Sequence, residues 1–267
     1  MHPSVLELET IERNAWEDLA RIMPSDLALS LGLEAGPIGG AFFFMASKLP
    51  LFQFNWLAGA GLGPDDGACI AEGVRRFRAA GQSKFIIQIP PGPNAERIAA
   101  LARDQGLSPS PLAWAKFCCA TNAPPRAETS FEIRELGAAD GDIFADTAIA
   151  GFGMPKPMAA WLRQIAGRPH WHVYASFERG APAGAGALYV DGDFAWVGIG
   201  ATRPEMREKG GQSALLARRI ADAAGYGAKF AVTETGVPQE GQSSPSYNNI
   251  LRSGFTIAYV RPNWTQA

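Results

Sequence analysis

The stretch from Phe194 to Asp222 limits the possible folds more than any other part of the sequence. It begins with aromatic and β-branched residues that are typical of a strand, and Pro204 ends that strand. Gly210 and Gly211 then open a helix, because the apolar residues that follow fall on one helical face. Those apolar residues are Leu215, Leu216 and Ile220. The pattern predicts a strand, a charged loop with two glycines, and a helix in direct succession.

Such a loop is suited to binding an anion. The first turn of a helix leaves backbone N–H groups unpaired, and the helix dipole adds partial positive charge there. Glycines let the backbone approach a phosphate closely. The loop is not a Walker loop, because no Gly-Lys-Ser/Thr follows the glycines. It also lacks the Gly-x-Gly-x-x-Gly of a Rossmann strand-to-helix turn.

The loop resembles the pyrophosphate loop of the GNAT superfamily of N-acetyltransferases, whose pattern is Arg/Gln-x-x-Gly-x-Gly/Ala. Arg207 and Gly210 match the first and fourth positions, and Gln212 stands where the family has its last Gly or Ala. The lead-in Thr202-Arg-Pro-Glu and the helix start Ser213-Ala-Leu-Leu are also similar to the family's. The alternative interpretation is an ordinary strand, loop and helix with a solvated run of charges.

The resemblance implies an acyltransferase that uses acetyl-CoA as cosubstrate and moves the acetyl group to an amine by direct attack. In the family, the strand before the loop holds the pantetheine arm and the loop holds the pyrophosphate. The implied cofactor contacts are Gly200, Ala201, Thr202, Arg207, Lys209, Gly210, Gly211, Gln212, Ser213, Ser246 and Asn249. For Ser246 and Asn249, a helix cap and an exposed helix surface are the structural alternatives.

The implied reaction needs a general acid and a general base. A late helix resembles the family's Asn-x-x-Ala-x-x-x-Tyr-x-x-x-Gly-Phe, but Ile250 takes the place of the tyrosine that often protonates the leaving thiolate. Tyr247 lies three residues earlier. We expect Glu234, at the end of a predicted strand, to be the general base; a solvated loop carboxylate is the alternative. Phe152, Met154 and Met158 are expected to form a wall of the acceptor pocket.

Parts of the sequence repeat at an offset of 140 residues. Phe54-Asn-Trp matches Phe194-Ala-Trp, and a proline and a double arginine follow in both copies. This indicates an internal duplication. Together with the resemblance, it predicts an α/β (α+β) fold of two GNAT-like domains, residues 1–124 and 125–267. Each domain is expected to have a mixed, mostly antiparallel central sheet flanked by helices.

The copies differ where the anion would bind. From Pro64 to Lys84 is 20 residues, and from Pro204 to Lys229 is 25. We expect the five missing residues to correspond to 207–211. Asp65 and Asp66 stand nearby in the first copy and would repel a diphosphate. The first half is therefore predicted to keep the fold without a cofactor site. A nucleotide loop at residues 59–63 is the rival interpretation, disfavoured because the repeat places these glycines in and just after a strand.

Composition narrows the possible partners. A net charge of −2 gives no general attraction to nucleic acid or anionic membrane, and no apolar run is long enough to span a bilayer. The three cysteines lack metal-binding spacing and suggest a reducing cytoplasm without a metal site. We expect a small-molecule amine as acceptor and a monomer or homodimer. A module that binds or senses acyl-CoA without turnover is the main alternative, and a nucleotide-dependent enzyme is a weaker one.

Overall fold

The computed structural model describes residues 2–63 and 67–266. The strands within these ranges are β1 Leu33–Ile38, β2 Ala41–Ala46, β3 Asn55–Ala58, β4 Ile86–Gln88, β5 Leu107–Ala120, β6 Glu132–Leu136, β7 Trp171–Glu178, β8 Ala181–Asp191, β9 Phe194–Thr202, β10 Phe230–Gly236 and β11 Thr256–Gln266. The helices are α1 Val5–Arg21, α2 Ser25–Leu31, α3 Gly67–Ala79, α4 Ala95–Asp104, α5 Gly141–Phe152, α6 Ala159–Leu162, α7 Gly211–Gly225 and α8 Pro245–Arg252. Short 3₁₀ turns connect several of these elements.

All the strands form one sheet, in the order β1-β2-β3-β4-β11-β5-β10-β9-β8-β7-β6. Two neighbouring pairs are parallel, β3 with β4 and β9 with β10, and the other pairs are antiparallel. The mixed, mostly antiparallel sheet flanked by helices is therefore confirmed. Each parallel pair belongs to one of the two repeated halves, as the offset of 140 residues requires.

The two halves exchange their last strands. β11, the final strand of the chain, lies between β4 and β5 of the first half, with Trp264 opposite Ile87. β5 in turn pairs with β10 of the second half, with Phe230 opposite Ala120. The exchange makes one continuous sheet across both halves. The division at residues 1–124 and 125–267 stays a prediction; the chain crosses between the halves in the segment from β5 to β6.

Alternate residues of the strands fill cores on opposite faces of the sheet, as the pleat requires. One core spans both halves and is covered by α1, α5 and α6; Phe44 and Trp196 are among its members. On the other face, the first half packs against α3 and α4, around Phe43. The second half packs there against α7 and α8, around Leu215. A site on the shared face can therefore receive residues from both halves.

Helix α1 connects the halves physically. Ser4 caps it, because its hydroxyl accepts the Glu7 N–H at 3.3 Å while the Glu7 carboxylate accepts the Ser4 N–H at 2.7 Å. Its buried face carries Leu8, Ile11, Ala15 and Leu19 at helical spacing. Although α1 belongs to the first half, it packs against β9 and β10 of the second. A helix at residues 5–22 follows from the sequence and is confirmed.

One local prediction fails. Alternating leucines at 27, 29 and 31 favour a strand over residues 27–33, but the chain forms α2 there. Gly32 ends the helix in a left-handed conformation, with φ 61°. Only Leu27 of the three leucines is buried, and Leu29 is 84% exposed. The alternating leucines therefore do not form the buried face of a strand. None of the helices in the described ranges has the length and apolar character needed to cross a bilayer.

Candidate active site

A cleft opens where β9 and β10 separate. The parallel pairing extends only from Phe194 opposite Phe230 to Trp196 opposite Val232. Beyond this point the Thr233 hydroxyl donates to the Val197 carbonyl at 2.8 Å, and the strands then diverge. The opening belongs to a cleft of about 1300 Å³ whose lining includes the ends of both strands. The local backbone therefore leaves strand edges available to a bound molecule.

A β-bulge shapes the floor of this cleft. Ala201 faces Ala185 and Gly198 faces Ala187, so two residues of β9 face the single residue Gly186 of β8. One of the two, Ile199, has φ 49°, which is unusual for a β-branched residue. The bulge interrupts the hydrogen-bond ladder beside the cleft. It therefore leaves strand carbonyls that need other donors.

Arg219 of α7 supplies those donors from beneath the sheet. Its side chain is fully buried, and Nη1 donates to the carbonyls of Ala187 at 3.1 Å and Gly198 at 2.9 Å. Nε donates to the Leu215 carbonyl at 3.0 Å. A Cβ on Gly186 would lie 2.6 Å from Cζ of Arg219, so only glycine leaves room for the guanidinium. The bulge and the buried arginine therefore depend on each other.

The Arg219 guanidinium also places positive charge next to the cleft. Burial lowers its pKa to about 10, which still leaves it charged at neutral pH. Nη2 has no hydrogen-bond partner among the described residues, and it lies 3.5 Å from the Cβ position of Gly200. An N–H donor is therefore directed toward the strand edge that borders the cleft.

The loop after β9 ends in an uncapped helix N-terminus. Gly210 occupies the cap position with φ 82°, and no side chain caps α7. The first helical bond of this turn is donated by the Ala214 N–H to the Gly210 carbonyl at 3.1 Å. The N–H groups of the three residues before Ala214 thus precede the helical ladder. Glu208 is also left-handed, with φ 65°. Unpaired N–H groups at the N-terminus of a helix are suited to binding an anion.

A buried carboxylate lies across the cleft on β10. Glu234 has a side chain 10% exposed and accepts a hydrogen bond from Nε1 of Trp196 at 2.9 Å. Lys116 Nζ lies 3.4 Å from the same carboxylate. Burial, followed by the negative charge of Glu12, raises the pKa of Glu234 to about 7 against the lowering effects of Lys116 and Arg261. Glu234 is therefore a buried strand residue and not the solvated loop carboxylate of the alternative interpretation, and its carboxyl group can exchange a proton near neutral pH.

The charge of the surrounding cluster explains this pKa. Lys116 contacts Glu12 directly, and Arg261 donates to Glu9 at 2.9 Å and to Glu12 at 2.7 Å. Despite burial, Arg261 and then Lys116 lower the pKa of Glu12 to about 2. The two cations are therefore matched by two carboxylates of α1. Glu234 is the third carboxylate, and it shares Lys116 with Glu12, so the loss of water is not fully compensated.

Most of this cluster was not predicted from the sequence. Lys116 and Arg261 lie in two different strands, far from Glu234 along the chain. One signal was present in α1, where Glu9 and Glu12 interrupt the apolar face of Leu8, Ile11 and Ala15. Acidic residues on the buried side of an amphipathic helix indicate partners in the core.

Comparison with known proteins identifies the fold. A GCN5-related N-acetyltransferase from Kribbella flavida is similar over 93% of this chain and 95% of its own, at TM-score 0.60 and 15% identity. Another, from Sphaerobacter thermophilus, covers 98% and 93% at TM-score 0.61 and 14% identity. A tandem GNAT protein from the clavulanic acid biosynthesis pathway covers 98% and 96% at TM-score 0.56 and 14% identity.

The chain has the tandem GNAT fold. Its similarity to these proteins is structural. No family model and no curated protein matches the sequence. The fold inferred from the loop motif and the internal repeat is thereby confirmed. At this level of identity the likeness concerns the fold alone.

Within the GNAT fold, the predicted site residues come together. The same cleft is lined by all twelve of them: Gly200, Ala201, Thr202, Arg207, Lys209, Gly210, Gly211, Gln212, Ser213, Glu234, Ser246 and Asn249. Phe152, Met154 and Met158 line it as well. The roles assigned to these residues stay predictions. Among the described residues, no group of three or more His, Cys, Asp or Glu side chains could hold a metal ion.

The two loop cations already have partners. Arg207 donates to the Gly151 carbonyl, at the end of α5, at 3.1 Å. Lys209 pairs with the Glu178 carboxylate at 3.2 Å, and both side chains are substantially exposed. An exposed pair of this kind is weak, so an anion can compete for the ammonium group. The loop thus presents its cations at the solvent side of the cleft.

Gln212 fills space beside the bulge. Thr202 Oγ1 donates to Oε1 of Gln212 at 3.3 Å, and Nε2 of Gln212 lies only 2.5 Å from the Cβ position of Gly200. Glycine at position 200 therefore makes room for the amide. Gln212 stands where the family has its last Gly or Ala, and its polar side chain lies between the bulged strand β9 and the N-terminus of α7.

Helix α8 completes the rim. Ser213 donates through its hydroxyl to Oδ1 of Asn249 at 2.6 Å, which joins α7 to α8. Ser244, not Ser246, is the N-cap of α8. Tyr247 packs edge-on against Phe117, with ring centroids 5.2 Å apart, and it is not part of the cleft lining. No tyrosine is among the residues that line the cleft in the described part of the chain.

Proposed function

We propose that this protein is an acyl-CoA-dependent N-acetyltransferase that moves an acetyl group from acetyl-CoA to the amine of a small molecule. The observation that carries the proposal is the position of two groups on one cleft. An uncapped helix N-terminus at Gly210 lies on one side, and the buried Glu234 carboxylate, with a pKa near 7, lies on the other.

The loop residues fit the cofactor in chemical terms. The free N–H groups before Ala214 and the nearby cations Arg207 and Lys209 suit a diphosphate. The unpaired edge of Gly200, Ala201 and Thr202 offers strand-like hydrogen bonds to an extended amide-bearing arm. We assign Ser246 and Asn249 to the rim of the same site. Acetyl-CoA supplies the reactive thioester.

Glu234 is assigned as the general base. The incoming ammonium gives one proton to the carboxylate, and the free amine nitrogen then bonds to the acetyl carbon. The carbon–sulfur bond breaks, and the second proton leaves the nitrogen as the sulfur becomes a thiol. Trp196 holds the carboxylate through its Nε1–H. Positioning supplies much of the acceleration, because both reactants occupy one cleft.

Two measurements on the wild-type protein test the proposal. Calorimetry should show saturable binding of acetyl-CoA with one site per chain. A thiol-release assay with a broad amine panel should show free CoA appearing only when an amine is added. Absence of acetyl-CoA binding at millimolar concentration would end the proposal.

A second candidate function is a non-catalytic module that binds or senses acyl-CoA. Its support is the cleft without a tyrosine, where Ile250 occupies the position of the family's general acid. The two functions differ in one result. Acetyl-CoA binding without thiol release for any amine would favour the module, and amine-dependent thiol release would favour the enzyme.

We also propose the cytoplasm as the site of action. The adjacent thiols Cys118 and Cys119 of β5 form no disulfide, which suits a reducing compartment. Burial raises the pKa of Cys118 to about 11, so this thiol is unreactive at neutral pH. A monomer is the simplest assembly, because the two halves already complete each other's sheet edge inside one chain.

A further inference from the structure

The first half of the chain supplies much of the wall of the cleft. Trp16 of α1, Trp56 of β3 and Trp114 of β5 line it, together with Phe52 and Phe54 of the turn before β3. The helix N-terminus that we assign to the diphosphate belongs to the second half. The part of the cleft away from that helix is therefore built jointly and is rich in aromatic side chains.

Three tryptophans form a group close to the proposed base. Trp16 and Trp56 meet edge to face, with centroids 5.4 Å apart and planes at 79°. Trp16 and Trp196 lie 6.4 Å apart at 56°. Glu12 and Glu234 line the cleft alongside these rings. Ring faces and carboxylates both attract an ammonium group, so this group can recognise the cationic form of an amine.

Among the described residues, the rest of this wall has no partner for a second positive charge. Beyond the carboxylates its lining is uncharged and mostly apolar, with Leu49, Phe54, Met154 and Met158; its polar side chains are Gln53, Gln88, Thr233 and Thr235. The positively charged residues that line the cleft are Arg207, Lys209, Arg219 and Arg252. They lie on the loop after β9 and on α7 and α8, at the end of the cleft that we assign to the diphosphate. A polyamine would leave a buried charge unpaired there, and an amino sugar would place several hydroxyls against a mostly apolar wall with few polar side chains; each unpaired group is costly. An apolar body would instead be buried favourably.

We propose that the acceptor is a primary monoamine carried on an aromatic body. This rests on the proposed transferase function and specifies its substrate class. The ammonium group lies between the tryptophans and Glu234, and the ring lies against Phe54, Met154 and Met158. Ring-to-ring contact, and not apolar burial alone, distinguishes this acceptor from an alkylamine.

The test is a thiol-release assay with acetyl-CoA and four amines. The expected order of kcat/KM is 2-phenylethylamine first, then hexylamine, then putrescine and glucosamine. We expect roughly tenfold between the first two and at least 100-fold between the first and the polar amines, as burial and ring contacts imply. Equal or faster turnover of hexylamine would overturn the aromatic assignment. Turnover of the polar amines alone, or of none of the four, would overturn the substrate class.

A variant tests the wall itself. Phe54 is half-buried and packs near Trp161, with centroids 6.5 Å apart. Phe54→Ala should raise the KM for 2-phenylethylamine roughly tenfold and leave the Kd for acetyl-CoA within twofold. Leu29→Ala is the matched control, since Leu29 is 84% exposed on α2 and lies outside the cleft. An unchanged KM in Phe54→Ala would contradict the inference.

The acetyl-CoA measurement separates the two possible failures. If the wild-type protein binds acetyl-CoA but prefers polar amines, the substrate class is wrong and the transferase function stands. If acetyl-CoA does not bind, the proposed function is wrong and the acceptor assignment is overturned with it.

Discussion

The two halves build the same parallel strand pair, but only in the second is the strand next to it made of small residues. In the first half, β2 presents Phe42, Phe43 and Phe44, and its register with β3 is continuous from Met45 to Phe42. In the second half, residues 183–187 of β8 are alanines and glycines, and β9 bulges beside them. Phe43 of β2 packs against Phe77 of α3, with ring centroids 4.6 Å apart, whereas Gly186 of β8 leaves room for Arg219 of α7. Small residues on the neighbouring strand therefore leave room for the bulge and the buried arginine, whereas large residues there pack into the hydrophobic core.

The repeated double arginine shows the same difference. Arg75 and Arg218 are both surface residues that pair with a carboxylate on their own helix. Arg76 also pairs at the surface, with Glu72 and Glu34, whereas Arg219 is fully buried under the bulge. Identical residues at matching positions thus have different roles. What decides the role is the size of the side chains on the neighbouring strand.

The strand-to-helix connection is a further point of comparison. It was predicted to be five residues shorter in the first half, at the place of residues 207–211. Residues 64–66 of that connection lie outside the described part of the chain, so this stays a prediction. The described strands before it differ in length, since β3 has 4 residues and β9 has 9. Asp65 and Asp66 lie outside the described residues, so their predicted repulsion of a diphosphate stays a prediction.

We expect the largest effect on kcat from Glu234→Gln, which gives the second half the residue type that the first half has at this position. Gln88 occupies the equivalent position of the first parallel pair, two residues after Ile86, as Glu234 is two after Val232. Glu234→Gln should lower kcat roughly 100- to 1000-fold, because the general base is lost. The Kd for acetyl-CoA should stay within twofold. Glu240→Gln, at an exposed position, is the control; a fully active Glu234→Gln enzyme would rule out this base.

The same residue fixes the expected pH dependence. Glu234 accepts a proton only when it is ionised, and its pKa is raised to about 7. The wild-type kcat/KM should therefore rise as the pH increases through about 7. A rate profile that is flat between pH 6 and pH 8 would contradict the assignment.

The second effect tests the helix N-terminus. Gly210→Asp adds a negative charge and forces a side chain into a left-handed position with φ 82°. We expect the Kd for acetyl-CoA to increase roughly 100-fold, or ~3 kcal/mol. Gly227→Asp is a matched control, because Gly227 has φ 92° and lies just beyond the opposite end of the same helix. Equal weakening in both variants would mean that strain, not phosphate binding, is responsible.

A third experiment tests the dependence of the bulge on Arg219. Arg219→Lys keeps the charge, but a single nitrogen replaces the fork that donates to Ala187, Gly198 and Leu215. We expect the Kd for acetyl-CoA to rise about tenfold and the melting temperature to fall by several degrees. Arg218→Lys, one residue earlier and partly exposed, should change neither by a measurable amount. If the two variants behave alike, the bulge does not need the buried guanidinium.

The smallest effect concerns the contribution of α1 to the base. Glu12→Gln removes the charge that helps to raise the pKa of Glu234 and frees Lys116 and Arg261 to stabilise its ionised form. The rise of kcat/KM should therefore move to lower pH by about one unit. Glu17→Gln on the same helix is the control, because Glu17 is partly exposed. An unmoved pH profile would show that the first half does not tune the base.

Local sequence patterns predicted a large part of this molecule. The strand Phe194–Thr202 and the helix from Gly211 to Gly225 have the bounds that alternation, proline and glycine indicated. The loop residues and Glu234 were assigned from the resemblance, and they line one cleft; their roles stay predictions. These features depend on residues close together in the chain, and their patterns are therefore visible in the sequence.

The remaining features depend on pairing over long distances. Nothing local in β5 or β11 indicates that the halves exchange their last strands, because either strand could complete its own half. The cluster of Glu12, Lys116 and Arg261 forms only through that exchange and the position of α1. For the same reason, the pKa of Glu234 could not be inferred before the strand order was known.

The central claim is that the N–H groups at the start of α7 bind the diphosphate of acetyl-CoA, and that this happens in the second half alone. An amide NMR titration with acetyl-CoA tests it most directly. We predict saturation at one equivalent, with the largest shift changes at Gly210, Gly211, Gln212 and Ser213. Saturable changes centred on Gly59 and Gly61 of the first half, or no saturable changes at all, would contradict the claim.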